Sequence, residues 1–327
     1  MDTNKIKETD DLFFPEFDDI KVSTKTFIIM TNIVLNLDKL HTFLPITDYV
    51  VVPKKRGRKK KIEVIDPNKD IKTGSIITAE YKGVIRGVDL KKKKKKDKKE
   101  KNRGKYFRNS VTIIMIINGK KINYKVSRNG KIQMTGCKLD EQAESCVEWF
   151  WDYIKDRNDI YDIVKFEGAS SKDEMSFFKT MYIPAMRNID FGVNFCIDRE
   201  RLDEYVNTST PYHSLLETSF GYTGVSIKVP LKKSIVELDI KQFRYSLEDK
   251  EWLPTEMVKY SDYLKLLPPK DVAKKLKKDR YTTFLVFHSG RIIVSSLEAE
   301  YTRATYYEFL DIIRACYHLI KENLLKW

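Results

Sequence analysis

Arg128-Asn129-Gly130-Lys131-Ile132-Gln133-Met134-Thr135-Gly136, followed by a helical pattern from Leu139, returns as His288-Ser289-Gly290-Arg291-Ile292-Ile293-Val294-Ser295-Ser296, followed by a second helical pattern from Glu298. The two glycines at the turns, Gly130 and Gly290, lie 160 residues apart. A second pair keeps nearly the same register: Thr31-Asn32-Ile33 through Leu40 aligns with Val193-Asn194-Phe195 through Leu202 at an offset of 162. Such spacing indicates an internal duplication. Two copies are too few for a solenoid, whose units bury a core only by stacking several deep, so a pseudo-twofold fold is expected.

Outward from these motifs the first copy predicts a strand over Thr26 to Leu35, a short helix over Asp38 to Phe43, and strands over Ile76 to Val88, Val111 to Ile117, Lys120 to Ser127 and Lys131 to Thr135. Asn118-Gly119 joins two of them as a tight hairpin, since both positions of such a turn need positive φ. A helix from Leu139 to Arg157 follows, with Ala143, Cys146, Val147, Phe150, Tyr153 and Ile154 at helical spacing. The second copy repeats the order: strand Asn188 to Ile197, helix Arg201 to Val206, strands near Tyr222 to Val229 and Ile235 to Ile240, strands Tyr281 to His288 and Arg291 to Ser295, and a helix from Glu298 to about Leu325. The organisation read from this is an acidic tail over 1–25 and a first repeat over 26–157 with basic inserts at 53–74 and 89–109. A linker over 158–186 and a second repeat over 187–327 with an insert at 243–280 complete the chain. Curved antiparallel sheets with the long helices side by side on the convex face make an α+β saddle. The tail, with Asp10-Asp11-Leu12-Phe13-Phe14-Pro15-Glu16-Phe17-Asp18-Asp19, reads as a segment of weak regular structure.

The net charge of +14 has the sign of a nucleic-acid binder, but its distribution is narrow. Lys54–Lys61 contributes seven positive charges, and Lys91–Lys105 contributes eleven against Asp97 and Glu100, so the remainder of the chain is close to neutral. Cys137, Cys146, Cys196 and Cys316 form no C-x-x-C pair, which points away from a zinc site or disulfide framework and toward a reducing compartment. No leader-like or membrane-spanning apolar run is evident, so a soluble intracellular protein is expected. His41, His213, His288 and His318 stand at no ligand spacing, and neither a glycine-rich phosphate loop nor a nucleophile elbow is present. No enzyme, metal or cofactor is expected on that reading.

The duplicated motif resembles the TATA-box-binding protein family. Its repeats close on phenylalanine, two residues, Gly-Lys, three residues, Thr-Gly-Ala-Lys and an acidic helix start; here Gly130-Lys131, Thr135-Gly136-Cys137-Lys138 and Asp140-Glu141-Gln142 match in copy one, and Phe287, Gly290-Arg291 and Ser295 in copy two. Thr78-Ala79-Glu80-Tyr81 is similar to the family's Asn-Ala-Glu-Tyr, and Arg187-Asn188-Ile189 to the Gln-Asn opening its second repeat. The long inserts and Lys/Ile/Tyr-rich style are similar to versions encoded by large DNA viruses, with use in a nucleus, a cytoplasmic viral factory or a virion. The resemblance implies a transcription initiation factor that lays its concave sheet in an A·T-rich minor groove and kinks the duplex with phenylalanine wedges. It also implies double-stranded DNA and initiation factors or RNA polymerase as partners, with no membrane and no small-molecule substrate.

In copy two Leu285, Phe287, Ile293 and Ser295 would meet the groove, while Phe284, Val286, Ile292 and Val294 pack on helices. Asn188 keeps the family's base-reading amide, and Asp190 replaces a groove-facing valine. Copy one alternates instead: Asn123, Lys125, Ser127, Lys131, Gln133 and Thr135 form a polar concave face, Thr26 replaces the family's asparagine, and Ser127 stands at a wedge position. Counting back from Gly130 puts the upstream wedges at Ser110 and, in copy two, Ser234, which leaves Phe287 as the surviving wedge. Arg56-Gly57-Arg58 resembles an AT-hook core, in which arginines follow a narrow A·T groove, and equally suits a nuclear-import signal or a solvated loop. The first long helix carries Glu144, Glu148, Trp149, Trp151 and Asp152, with Trp149 and Phe150 expected in the core and Trp151 on another face. The alternative function is a TBP-like interaction platform that touches DNA weakly or without specificity.

Overall fold

The computed structural model describes residues 12–52, 67–90, 108–166, 176–216 and 224–322. In chain order the elements are β1 (Val22–Thr31), β2 (Ile33–Leu35), α1 (Leu37–Phe43), β3 (Ile76–Tyr81), β4 (Val84–Gly87), β5 (Ser110–Ile117), β6 (Lys120–Ser127), β7 (Ile132–Cys137), α2 (Asp140–Tyr161), β8 (Val164–Phe166), β9 (Phe177–Gly192) and α3 (Arg199–Ser209). They continue as β10 (His213–Leu216), β11 (Gly224–Pro230), β12 (Asp239–Ser246), β13 (Glu256–Lys259), α4 (Tyr260–Lys265), α5 (Pro269–Leu276), β14 (Tyr281–Phe287), β15 (Arg291–Ser296) and α6 (Ala299–Ile320). The chain is α+β, and all its described strand pairings are antiparallel. It divides into a first-repeat unit, Thr26–Ile183 with Ile240–Met257, and a second-repeat unit, Met1–Lys25 with Pro184–Asp239 and Val258–Trp327.

The duplication is visible in backbone contacts inside each unit. In the first, the Gly130 N–H donates to Ser127 O and the Leu35 N–H to Arg128 O; in the second, Gly290 donates to Phe287 O and Ile197 to His288 O, all at 2.7–3.0 Å. Both glycines have positive φ, 70° and 76°. A β-carbon on Gly130 would lie 2.3 Å from Ile33 O, and one on Gly290 2.5 Å from Phe195 O. The turn therefore needs glycine twice over, for its left-handed backbone and for the approach of the strand end beneath it. The short helices start alike too. Asn36 accepts from the Lys39 N–H before α1, and Asp198 accepts from the Glu200 and Arg201 N–H groups before α3.

In the first-repeat unit the strand order is β1-β7-β6-β5-β3-β4. One face is closed by α1 and α2 through Ile113, Met115, Ile122, Tyr124, Val126, Ile132 and Met134, all buried. The expected strand Ile76 to Val88 is split, because Lys82 and Gly83 both take positive φ and form a hairpin turn. α2 begins where the Gln142 side chain accepts from the Lys138 N–H at 2.8 Å, and ends at Asp162, which adopts a left-handed conformation. A second difference concerns its tryptophans. Trp151 is buried, stacked on Phe178 of β9 at 4.0 Å with Tyr245 of β12 against its edge. Trp149 is the partly exposed one, lying over Gly74. The cause is an extension of the sheet: the early part of β9, inside the segment read as a linker, pairs with β12, which runs into the segment read as an insert, and their Phe178 and Tyr245 cover Trp151. Lys241 of β12 also pairs with Glu144 at 2.6 Å, so the acidic surface expected on this helix is partly neutralised within the unit.

The second-repeat sheet runs β10-β11-β14-β15-β9, with the opening residues of β1 beside β9. Phe284 stacks on Phe309 of α6 at 4.2 Å, and Val286, Ile292 and Val294 are buried with it. Here the placement of one strand differs from expectation. Ile235–Glu237 is a 3-10 turn capped by Ser234, and β11 rather than Ile235 to Ile240 pairs with β14. The long excursion thus leaves from Pro230 and returns at Tyr281, the place that Asn118-Gly119 fills with two residues in the other copy.

Residues 12–21, read as part of a tail of weak regular structure, are docked. Phe17 is 2% exposed against Tyr306, and Asp18 pairs with Arg303. The ion pair lies in solvent, so the segment is held chiefly by the burial of Phe17. At the turn glycines the constraint is steric. Gly119→Ala, where a β-carbon meets nothing within 4 Å despite φ of 73°, should cost about 1–2 kcal/mol of backbone strain. Gly130→Ala and Gly290→Ala should each cost clearly more, read by urea denaturation. Equal losses at all three would contradict the close approach.

Candidate nucleic-acid interface

Alternation along a strand gives each sheet an inner face against its helices and an opposite face, and the two units use the opposite face differently. In the second-repeat unit, register sets Leu215, Ser226, Leu285, Ile293 and Asp190 in one row across β10, β11, β14, β15 and β9. The neighbouring row is His213, Lys228, Thr283, Ser295 and Asn188. Phe287 closes the patch opposite Gly224. Leu215 is 62% exposed, and Leu285, Phe287 and Ile293 are half-buried. A β-carbon on Gly224 would lie 2.7 Å from Leu285 Cδ1 and 3.4 Å from the Phe287 ring. The bare glycine thus leaves room for both side chains.

This pairing corrects the wedge alignment. Ser110 pairs with Ser127 in the first-repeat unit, and Gly224 pairs with Phe287 in the second. The counterpart of Ser110 is Gly224; Ser234 caps a turn in the excursion. Phe287 remains the aromatic at this end of the second-repeat sheet, with glycine where the upstream wedge would stand.

Two polar groups qualify the patch. Asp190 is held by Arg291 at 2.6 Å, so its charge is answered within the face. Asn188 has a side-chain oxygen screened from solvent with no hydrogen-bond partner, while its backbone carbonyl accepts from Ser23 Oγ at 3.1 Å. An unpaired buried amide oxygen is costly.

The matching face of the first-repeat unit is polar. Glu80, Thr112, Lys125 and Gln133 form one row and Thr78, Ile114, Asn123 and Thr135 the next. Thr135 Oγ1 donates to Asn123 O at 3.4 Å, and Ser127 takes its N–H to Lys131 O in the turn. Thr26 is half-buried on β1. Lys125, Gln133 and Thr135 are brought together, whereas Lys131 lies at the turn. Arg56, Gly57 and Arg58, with the lysine runs 54–61 and 91–105, lie outside the described residues. Among the described residues no cluster of His, Cys, Asp or Glu could hold a metal, and no helix is long and apolar enough to cross a membrane. His288, exposed, pairs with Glu322 at 2.7 Å.

No family model matches the chain. A protein of Invertebrate iridescent virus 6, described as Uncharacterized protein 335L, is 22% identical over 211 residues, covering 63% of this chain; the chain spans 60% of that relative's length. Among solved structures, Methanococcus jannaschii TBP is similar over 92% of this chain and 99% of its own, at 12% identity and a TM-score of 0.41.

The two faces of β14 should separate in a stability measurement. Phe284→Ala, which empties the stack on Phe309, should cost about 3–5 kcal/mol. Phe287→Ala should cost well under half of that in the same urea titration. Similar losses would mean that Phe287 is a core residue and would remove it from the interface.

Proposed function

We propose that this protein is a TBP-like DNA-binding factor of transcription initiation. On this reading it engages A·T-rich promoter DNA through the Leu215, Leu285, Phe287 and Ile293 face, with the basic runs adding phosphate attraction. The observation that carries the reading is that face: an apolar patch on the side of the sheet away from α6, ending in a half-buried phenylalanine. Wedge insertion costs a few kcal/mol of unstacking per base step, recovered by burying apolar surface against the opened bases. Phe287 with Leu285 and Ile293 can make that recovery. Lys125, Gln133 and Thr135 cannot, so the first-repeat face would follow the backbone without deforming it.

The Asn188 amide nitrogen would donate to adenine N3 or thymine O2 at the edges of A·T pairs. Initiation factors or polymerase would be the protein partners, and the site of action a nucleus or a viral factory. An interaction platform with weak DNA contact is the second reading. The Arg291–Asp190 pair favours it, because this leaves the second-repeat face with little free positive charge for phosphates.

Fluorescence anisotropy with A·T-rich and G·C-rich duplexes at roughly 50 and 200 mM salt separates these readings. Groove binding predicts an A·T preference that persists at the higher salt. Phe287→Ala should abolish most of the bend read by energy transfer between labelled duplex ends, and Ser127→Ala should change little. Deleting both lysine runs should flatten the dependence of log affinity on log salt. Absence of any A·T preference or bend would leave the platform reading.

A further inference from the structure

The second-repeat unit carries a peptide already bound to it. Residues 14–18 run along α6, and each makes a contact of the kind by which proteins capture short linear segments. Phe14 lies under the Arg314 guanidinium at 5.0 Å. Pro15 O accepts from the Tyr306 hydroxyl at 2.6 Å, and the Glu16 carboxylate from the Tyr307 hydroxyl at 2.8 Å. Phe17 fills a pocket between Tyr306, Arg303 and Arg187, whose guanidinium carbons lie 5.0 and 5.5 Å from its ring. Asp18 meets Arg303 through both oxygens.

The seat offers more than the strap uses. Arg187 Nη1, beneath Phe17, is screened from solvent and has no hydrogen-bond partner. Burial lowers the Arg187 pKa, opposed by Glu298. A buried cationic donor left unmet is costly, and a ligand carboxylate or carbonyl at this point would satisfy it. Arg303 and Arg314 are exposed and Asp18 is largely so, hence the ionic contacts are the exchangeable kind.

We propose that this surface of α6 is a receptor for a short acidic-aromatic segment of a partner protein, two aromatics three residues apart with a carboxylate after the second. The chain's own Phe14–Asp18 occupies it in cis and must be displaced. The surface lies on the helix side of the sheet, opposite Leu285 and Phe287, and its test involves no DNA.

The probe is a fluorescein-labelled peptide with the sequence of residues 12–20, titrated by anisotropy against the full-length chain. Wild type should bind it weakly, because the seat is filled. Full-length Phe17→Ala, and separately the double variant Glu16→Gln/Asp18→Asn, should bind it at least ten-fold more tightly. Adding Arg303→Glu should reverse that gain, and a peptide carrying Asp18→Arg should restore binding to the Arg303→Glu background. The double variant keeps the buried phenylalanine, so it decides the matter if circular dichroism shows Phe17→Ala unfolded. Opened variants that bind no better than wild type, or binding indifferent to Arg303→Glu, would overturn the proposal and leave residues 14–18 as a fixed part of the core.

Discussion

The carbonyl oxygens of Ile33 and Phe195 press against Gly130 and Gly290 where any other residue would place its β-carbon. Each unit depends on this contact. It fixes the strand end before the short helix against the turn that opens the last strand, which in turn delivers the chain to the long helix. With the turn closed, the strand register is set, and register decides which side chains face the helix. A one-residue slip would turn Phe284, Val286, Ile292 and Val294 out and Leu285, Phe287 and Ile293 in. The stack of Phe284 on Phe309 resists that slip.

Because the inner faces are alike and apolar, the two repeats can share one skeleton while diverging on the outer face. Selection for packing acts on alternate residues, and the intervening ones are free to change. The first-repeat face is mainly a lattice of amide, hydroxyl and charged groups, and the second carries aliphatic and aromatic side chains. The duplication therefore explains the fold, and the divergence of alternate residues carries the proposed division of labour.

The repeats and the two-sided strands were legible in the sequence because they rest on local chemistry: glycine at a left-handed turn and period-two alternation. Features set by distant segments were not. Trp151 is buried by Phe178 and Tyr245, which no helical periodicity within α2 could reveal. The excursion that returns at Tyr281 leaves from the tip of a hairpin, so counting along the chain reached Ser234 where pairing gives Gly224. Phe14 and Phe17 looked like parts of an acidic tail, since their pocket is built from Arg303, Tyr306 and Arg314 nearly three hundred residues away. At the candidate interface, Leu285, Phe287 and Ile293 were readable from their strand, but the Arg291–Asp190 pair and the unmet oxygen of Asn188 emerged only from neighbouring strands.

The central proposal, that the outer face of the second repeat inserts into the A·T-rich duplex while that of the first only follows its backbone, is tested most directly by hydroxyl-radical footprinting of side chains with and without DNA. Oxidation of Leu215, Leu285 and Phe287 should fall sharply on adding an A·T-rich duplex, while that of Ile114 on the outer face of the first-repeat sheet should fall far less. Equal protection of both faces, or no change at Leu285 and Phe287 under conditions where the duplex is bound, would contradict it.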